Sequence, residues 1–455
     1  LTMAIFPSTA IPSGASDFTI PYSCRFNEAD DPYLSLSFGT PTNRKIWTFS
    51  VWFKRGSDIN DSSERRIFST ATGAGGNTDN INWTTGDAIR FIADFGQLIC
   101  TPVFRDPSAW YHLIYAYDST QGVEANRLKM YINGTQITSF STSDYPSLNQ
   151  EIDFNSAVVH DVGRNLPEST QYYDGYMAEA HFIDGTALTP TSFGETGDYG
   201  EWKPIEVSGL TYGNNGFYLD FADAADLGDD ESGEGNDFAE NNIVATDQML
   251  DSPTNNFCTM NPLANQLSAT LSEGNLKVVP STANDKNVFS TFGFTSGKWY
   301  VEVHNTVQGA ESHYVGSGVM GSPIGISDIN HAGDLSAGNS ATFRTGTGVV
   351  TAGTATVNSN NTAAVTGDIM TIAFDADNGS FWCAKNAAPN TATTANVTGL
   401  TATPDRDYRF GQQESNSSPY TQCTWNFGQD SSFAGEETAQ GNQDSNDIGD
   451  FYYTP

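Results

Sequence analysis

The strongest constraint on the fold of this chain is a ten-residue run in which large apolar residues occupy every second position. In residues 45–54 (KIWTFSVWFK), the apolar positions from Trp47 to Phe53 alternate with those of the opposite face. Successive side chains of a β-strand point to opposite faces of its sheet, so a period of two is typical of a strand with one face in a hydrophobic core. The run therefore predicts a half-buried strand.

Similar runs recur along the chain and are separated by turn signals. Runs rich in aromatic and β-branched residues occupy residues 110–118, 127–137, 172–183, 275–279, 298–305, 313–320 and 367–386. Asn133-Gly134 and Asp377-Asn378-Gly379 each stand between two apolar runs, which is a strong signal for a β-hairpin. With 43 glycines and little sequence typical of long amphipathic helices, the chain is predicted to be all-β and built from antiparallel sandwiches.

Length and an acidic segment divide the chain into two predicted domains. A chain of 455 residues is long for one hydrophobic core, so two β domains of about 200 residues each are expected. Residues 222–237 (ADAADLGDDESGEGND) are acidic and show no alternation, which predicts a linker over residues 223–256. Residues 214–221 (NNGFYLDF) are expected to pair with an early strand and close the first sandwich. The remaining boundaries are an extension at residues 1–13, jelly rolls at residues 14–222 and 257–435, and a polar tail at residues 436–455.

Charge, hydropathy and cysteine spacing exclude several classes of protein. Twenty Lys and Arg against 54 Asp and Glu give a net charge of -34, which opposes binding to nucleic acid and to anionic membranes. No apolar run is long enough to span a bilayer, and the first residues lack the features of a signal peptide, so membrane insertion is not expected. The five cysteines are scattered without a CxxC pair, which favours buried free thiols over disulfides or a metal site.

Four segments in order give the first half a resemblance to laminin-G-like, concanavalin-type jelly-roll domains. They are WTFSVWFKRG, WYHLIYAYD, RLKMYINGTQI and DGYMAEAHFIDGTAL, between residues 47 and 188. The second half resembles SPRY domains through residues 291–303, 367–386 and 425–429. The succession of these two modules resembles structural proteins of marine and cyanobacterial tailed phages.

This resemblance implies a tail-fibre-like protein on the surface of a virion. Its modules would attach to a host-surface glycan or protein and contact other virion proteins, as a homo-oligomer on the particle. The alternative is a capsid or tail decoration or connector protein that binds only other virion subunits. Residues 1–13, with Phe6 in an apolar stretch, are the candidate anchor to the particle.

No catalytic residues are predicted, and the chain is expected not to be an enzyme. Jelly-roll glucanases need two carboxylates about 5 to 9 Å apart, normally spaced as E-x-D-x-x-E. The nearest segment, Glu179 to Asp184, has a different spacing. No nucleophile elbow, zinc-protease, P-loop or dinucleotide motif occurs, and the six histidines are dispersed. A polysaccharide depolymerase is therefore the third and most distant alternative.

Loop aromatics are the candidates for ligand binding, because a sugar ring packs well on an exposed aromatic ring. Trp83, Tyr172 and Tyr173 are predicted to lie in loops and to be available for this role. Aromatic residues within strands dominate β-sandwich cores, so the strand tryptophans are assigned to the core. They are Trp47, Trp52, Trp110, Trp299 and Trp382.

No cofactor or metal site is predicted. Calcium takes carboxylate oxygens, and acidic turns occur at Asp30 with Asp31, at Asp184, and at Asp375 with Asp377. None of these turns has the spacing of an EF-hand loop, and Asp in a turn commonly accepts hydrogen bonds from its own backbone. A calcium ion is compatible with these turns, but no ligand set is assigned.

Overall fold

The computed structural model describes most of the chain as two compact β units that divide after Asn256. Helical structure in the described residues consists of short 3-10 helices. The predicted all-β class is confirmed, whereas the predicted extension at residues 1–13 lies outside the described residues. The described residues are 18–57, 59, 62–71, 78–166, 169–281, 286–309, 313–319, 340–352, 355–358, 362–389, 394–400, 407–414 and 420–455.

In the first unit, the period-two runs of the sequence become antiparallel strands joined by tight turns. Asn133 and Gly134 both have positive φ, the backbone required by a two-residue hairpin turn. The 3-10 helices are Glu28–Asp30, Glu124–Asn126, Pro190–Ser192 and Ala245–Asp247. The strands are β1 Ser23–Phe26, β2 Tyr33–Ser37, β3 Ile46–Arg55, β4 Arg65–Ala71, β5 Thr78–Trp83, β6 Ile89–Ala93, β7 Gly96–Cys100, β8 Tyr111–Asp118, β9 Leu128–Ile132, β10 Thr135–Gln136, β11 Phe140–Ser143, β12 Val159–Val162, β13 Gly175–Asp184, β14 Gly194–Thr196, β15 Trp202–Pro204, β16 Phe217–Leu219, β17 Ala239–Asn241 and β18 Gln248–Met249.

These strands form two large antiparallel sheets. The first sheet has the order β10-β9-β8-β3-β13-β1-β18, and β16 also pairs with β13. The second sheet has the order β11-β7-β6-β5-β4-β12-β2-β17. Strands distant in sequence are neighbours in both sheets, as in a jelly roll, and β14 and β15 form a separate hairpin.

The main core of this unit lies between the two sheets. Trp47, Phe49, Val51 and Phe53 of β3 are all fully buried there. The ring of Trp47 stacks on that of Tyr117 with centroids 5.1 Å apart. Burying one such side chain contributes about 1.5–3 kcal/mol. The alternation in residues 45–54 therefore predicted the core face of β3 correctly.

The opposite face of β3 is also buried, which the sequence did not predict. Trp52 stacks on His112 with centroids 4.5 Å apart, and the indole of Trp202 donates a hydrogen bond to the same imidazole. A smaller cluster that includes Ile114, Ile183 and Phe193 packs on this side. The first sheet is therefore covered on both faces.

The predicted linker at residues 223–256 is wrong, because this segment completes the first unit. Strand β17 pairs with β2 and β18 pairs with β1, whereas β16 pairs with β13 instead of closing the sandwich against an early strand. Leu227, Phe238, Ile243 and Met249 are buried. Asp230 accepts hydrogen bonds from the backbone of Tyr218, Ser232 and Asn236, so the acidic residues build turns.

The second unit is a separate pair of antiparallel sheets. One has the order β19-β22-β30-β24-β25-β26-β27 and the other β20-β21-β31-β23-β28-β29. The strands are β19 Met260–Asn265, β20 Thr270–Ser272, β21 Lys277–Val279, β22 Lys286–Ser290, β23 Lys298–Val307, β24 His313–Val319, β25 Ala341–Arg344, β26 Val349–Ala352, β27 Ala355–Asn358, β28 Ile369–Asp375, β29 Ser380–Lys385, β30 Tyr408–Glu414 and β31 Gln422–Asn426.

The predicted polar tail at residues 436–455 is packed onto β23. Phe451 is fully buried against Tyr300, with ring centroids 5.1 Å apart. The buried carboxylate of Glu302 accepts the backbone N–H groups of Tyr452 and Tyr453, both at 2.8 Å. Although this segment is mostly polar, Phe451 and the backbone bonds to Glu302 hold it against β23.

The cysteines and most strand tryptophans are placed as predicted. All five cysteines are free and buried. Four of the five strand tryptophans are buried, and Trp382 is only half-buried on β29.

Candidate functional site

A row of polar side chains crosses the second sheet of the first unit on the face away from the core. Ser35, Asp161, Ser69 and Asn80 lie directly opposite one another on β2, β12, β4 and β5. Strands are about 4.8 Å apart, so the row extends over about 15 Å. The residues that alternate with them face the core and are fully buried: Leu34, Val162, Phe68 and Ile81.

The loop after β12 places a cation and an aromatic ring beside this row. Gly163 has a φ of 93°, and a Cβ at this position would lie 2.8 Å from the ring of Phe26. A side chain is therefore excluded at this turn. The backbone N–H of Tyr173 returns to the carbonyl of Gly163 at 2.7 Å, which holds the two ends of the loop together.

Arg164 is the centre of a compact group that we call the Arg164 cluster, composed of Tyr33, Asp161, Arg164, Ser169 and Tyr172. The guanidinium carbon of Arg164 lies 3.5 Å from the centroid of the Tyr33 ring. Its Nε donates to Asp161 Oδ2, and its Nη1 donates to Ser169 Oγ at 3.1 Å. Tyr172 donates its hydroxyl proton to the carbonyl of Ser169, also at 3.1 Å. The cluster thus combines two rings with an ion pair.

The carboxylate of Asp161 is buried but only partly satisfied. Its side chain is 0% exposed, and Oδ1 has no hydrogen-bond partner in the described structure. Burial raises the pKa of Asp161, and the neighbouring Ser35 hydroxyl and Arg164 guanidinium lower it. An unpaired acceptor in such surroundings is costly to keep, so a donor from a ligand would be stabilised here.

The rim of the cluster is half-exposed and carries further charge. Tyr33 and Tyr172 are half-buried, and the Arg164 side chain is 13% exposed. Burial raises the pKa of Tyr172, the nearby Asp31 raises it further, and Arg164 lowers it. The rim therefore combines the guanidinium of Arg164 with two phenol rings, and the charge of Asp31 acts on it.

A layer of buried polar side chains continues from the cluster toward β6. Arg66 Nε donates to Asn165 Oδ1 at 3.2 Å, next to Arg164 in sequence. Arg66 and Arg90 both donate to Glu64 Oε2, at 2.8 and 2.6 Å. This network fixes the side chains beside the cluster.

Two of the three aromatic residues predicted to bind a ligand are buried in the structure. Trp83 ends β5 on the core side, is 1% exposed, and packs under the guanidinium of Arg55 at 4.5 Å. Tyr173 is fully buried and donates to the carbonyl of Lys54 at 3.1 Å. Neither ring is accessible to a sugar, because each occupies an inward position. Only Tyr172 remains, and it belongs to the Arg164 cluster.

Sequence reasoning missed Tyr33, Asp161 and Arg164. Asp161 lies in the apolar run VVHDV, where an aspartate is disfavoured in a strand, and this was the available signal. Tyr33 is 131 positions from Arg164 in the numbering, and they meet only because β2 pairs with β12. No local pattern reveals that pairing.

A buried serine–histidine pair in the first sheet is not arranged for nucleophilic catalysis. His112 Nε2 lies 2.8 Å from Ser50 Oγ, and His112 Nδ1 accepts a hydrogen bond from the Trp202 indole at 3.0 Å. Because Nδ1 is the acceptor, Nε2 carries the proton and donates to the serine. Burial lowers the pKa of His112 to about 3, so the imidazole is a poor proton acceptor.

The acidic turns considered for calcium make hydrogen bonds within the protein. Asp184 accepts from the backbone N–H groups of Thr42 and Asn43 at 2.6 and 3.0 Å. Asp375 Oδ1 accepts from the N–H groups of Asp377 and Asn378. Within the described ranges, no three His, Cys, Asp or Glu side chains are grouped to hold a metal ion. No helix in the same ranges is long and apolar enough to span a membrane.

Comparison with known families places the first unit in a broad structural class. The family model described as the concanavalin A-like lectin/glucanases superfamily matches residues 28–192. This range contains β2 to β13, and therefore most of both sheets. The chain thus contains a concanavalin A-like jelly-roll domain. A search of curated proteins gives no match.

Solved structures with partial similarity have low overall superposition. The SPRY domain of human HERC1 is 17% identical, with 36% of this chain and 96% of that chain covered and a TM-score of 0.29. A Bacteroides ovatus protein described as carbohydrate-binding is 15% identical, with 50% and 61% covered and a TM-score of 0.31. A heptameric pentraxin from Limulus polyphemus is 16% identical, with 38% and 80% covered and a TM-score of 0.28. Scores this low carry no functional argument.

Proposed function

We propose that this protein is a non-catalytic carbohydrate-binding protein whose first unit holds a saccharide at the Arg164 cluster. The observation that carries the proposal is the buried Oδ1 of Asp161, an acceptor without a partner, beside the half-exposed rings of Tyr33 and Tyr172. Saccharide hydroxyls supply the donors that a carboxylate needs. Aromatic rings supply the apolar surface against which the C–H face of a sugar packs.

The family that matches residues 28–192 supports a sugar ligand, because its description names lectins and glucanases. Binding without hydrolysis is favoured by the chemistry of the cluster. Glycoside hydrolysis uses a pair of carboxyl groups, one of them a proton donor. In the cluster, the carboxylate of Asp161 is ion-paired with Arg164, which makes it a group that accepts hydrogen bonds from hydroxyls.

A glycan-binding assay with matched variants tests this function. The intact chain is screened against immobilised neutral and acidic polysaccharides, and Tyr172→Ala and Asp161→Asn are compared with wild type. Tyr199→Ala is the control, because Tyr199 is 71% exposed on the β14–β15 hairpin, outside the cluster. Loss of binding in the two cluster variants with retention in the control supports the proposal. Equal binding by all variants places the ligand elsewhere and refutes it.

We also propose that the protein is displayed on a virion surface, where glycan binding attaches the particle to a host cell. The support is the resemblance of the two-module sequence to phage structural proteins. Antibodies against residues 257–455, viewed on intact particles by electron microscopy, test this location. Label at fibre or tail tips supports attachment. Regular label over the capsid favours a decoration protein, and particles without label refute a virion location.

A further inference from the structure

We infer that Arg164 is a latch that covers the saccharide-binding surface in the free protein, and that the Asp161 carboxylate beneath it selects neutral saccharides. The inference rests on the proposed function of the Arg164 cluster. It concerns which residue controls access to that surface and which class of saccharide it admits.

The guanidinium group of Arg164 lies over the ring of Tyr33. Its carbon lies 3.5 Å above the Tyr33 ring, so it occupies the surface on which a sugar ring would stack. Its Nε is bonded to Asp161, and its Nη1 is bonded to Ser169 of the following loop. One side chain thus covers both the ring and the carboxylate. A saccharide cannot use Tyr33 and Asp161 while Arg164 keeps this position.

The carboxylate of Asp161 needs new hydrogen-bond donors once the guanidinium leaves. The Asp161 side chain is 0% exposed, and its Oδ1 already has no partner in the described structure. Displacement of Arg164 exposes Oδ2 as a second free acceptor on the same carboxylate. Two adjacent hydroxyls of a sugar can donate to these two oxygens, and such charge-assisted hydrogen bonds are stronger than neutral ones.

The negative charge of the site determines the chemical class of the ligand. A sulfate or carboxylate group carries no hydrogen to donate, and Asp161 would repel it at close range. Asp31 adds a further negative charge at the rim, where it raises the pKa of Tyr172. The surface therefore fits a neutral saccharide with adjacent hydroxyls better than a uronic acid or a sulfated sugar.

A latch of this kind lowers the apparent affinity of the free protein. When the binding-competent state is a minor fraction, the apparent affinity falls by that fraction. Removal of the latch should therefore strengthen binding, although it deletes a polar side chain from the site. If Arg164 instead contacted the saccharide directly, its removal would weaken binding.

The test compares Arg164→Met with wild type in the intact chain. The probes are the neutral polysaccharides dextran, mannan and galactan and the acidic polysaccharides polygalacturonate and dextran sulfate. Lys129→Met is the control, because Lys129 is a half-buried cation on β9 of the other sheet. We expect Arg164→Met to bind the neutral probe about tenfold more tightly or more, with the control unchanged. In wild type, acidic probes should bind more weakly than neutral ones.

The outcomes separate this inference from the proposed function. Binding that is unchanged or weakened in Arg164→Met, or wild-type preference for an acidic probe, overturns the inference while saccharide binding stands. Absence of binding to every probe, in wild type and in variants, overturns both. If Arg164→Met does not fold, Arg164→Lys keeps a cation beside Asp161 but loses the planar group that covers Tyr33. It should bind the neutral probe more tightly than wild type, and equal or weaker binding overturns the latch.

Discussion

The ammonium group of Lys54 lies 2.7 Å from a carboxylate oxygen of Asp251, and neither side chain is exposed. The second oxygen of Asp251 accepts the indole N–H of Trp110 at 2.9 Å, and Lys54 also donates to Asn256 at 2.8 Å. This network binds the end of the first unit to β3. It fixes residues 251–256, the end of the segment predicted as a linker, to the domain.

Loss of the cation from this network should strongly destabilise the first unit. In Lys54→Met, the buried carboxylate of Asp251 loses its charged partner, which costs about 3–5 kcal/mol. The free energy of unfolding from urea titration measures this cost. Glu151→Gln is the control, since the Arg44–Glu151 pair is 33% and 45% exposed and should contribute less than about 1 kcal/mol. Similar losses in both variants would contradict a structural role for the buried pair.

Asp79 should make the stability of the protein depend on pH in the direction opposite to that of an ordinary aspartate. Burial raises its pKa from 3.8 to about 7, with further increases from Asp153 and Asp94, while backbone hydrogen bonds lower it. A raised folded-state pKa means that the stabilisation is present below the unfolded pKa and is lost as pH rises through about 7. Wild type should therefore lose about 2–4 kcal/mol from this group between pH 4 and 8.

Asp79→Asn isolates that contribution. The difference in free energy of unfolding between variant and wild type should shift in favour of the variant as pH rises from 4 to 8. Urea titrations at several pH values measure the difference, so the other titrating groups cancel. A difference that is constant with pH would show that Asp79 is not held in a protonated form.

His160 should produce the reverse dependence at lower pH. Its ring stacks on Phe38 with centroids 3.8 Å apart, and burial lowers its pKa from 6.5 to about 3. The unfolded chain gains the proton first, so stability falls as pH drops below 6.5 toward 3. His160→Phe keeps an aromatic ring at this position and should lose less stability than wild type between pH 6.5 and 4. Equal losses would refute a buried neutral imidazole.

The hydrogen bonds of Asp184 should hold together one end of the first unit. Besides the N–H groups of Thr42 and Asn43, it accepts from Asn155 Nδ2 at 2.6 Å. Asp184→Asn replaces one acceptor oxygen with a donor that faces these donors, and a loss of about 3 kcal/mol is expected from hydrogen bonds to a charged group. Thermal unfolding measures it, with the exposed Asp198→Asn as the neutral control. A calcium ligand at Asp184 would instead show stabilisation by added calcium.

The strands were predictable from the sequence because their pattern is local. The alternation from Trp47 to Phe53 and the Asn133-Gly134 turn both report on adjacent residues, and both are present in the structure. Burial of the opposite face of β3 was not predictable, since Trp202 covers it from a distant part of the chain. The acidic residues near Asp230 led to the incorrect prediction of a linker, because turns built by carboxylates and solvated linkers have the same composition.

The candidate site was predictable only in part. Tyr172 could be selected as a loop aromatic, but Trp83 follows Ile81 with the period of the strand and faces the core. Asp161 belongs to a polar row only because Ser35 and Ser69 of two other strands lie opposite it. Register between strands far apart in sequence creates the polar row, and a single sequence does not reveal that register.

Footprinting of the protein with and without a bound neutral saccharide locates the binding surface. Hydroxyl radicals modify accessible tyrosines, and mass spectrometry reads the protection of each peptide. We expect protection of the peptides that contain Tyr33 and Tyr172, with Tyr199 as reactive as in the free protein. Protection confined to residues 257–455, or to parts of the first unit outside the Arg164 cluster, would contradict it.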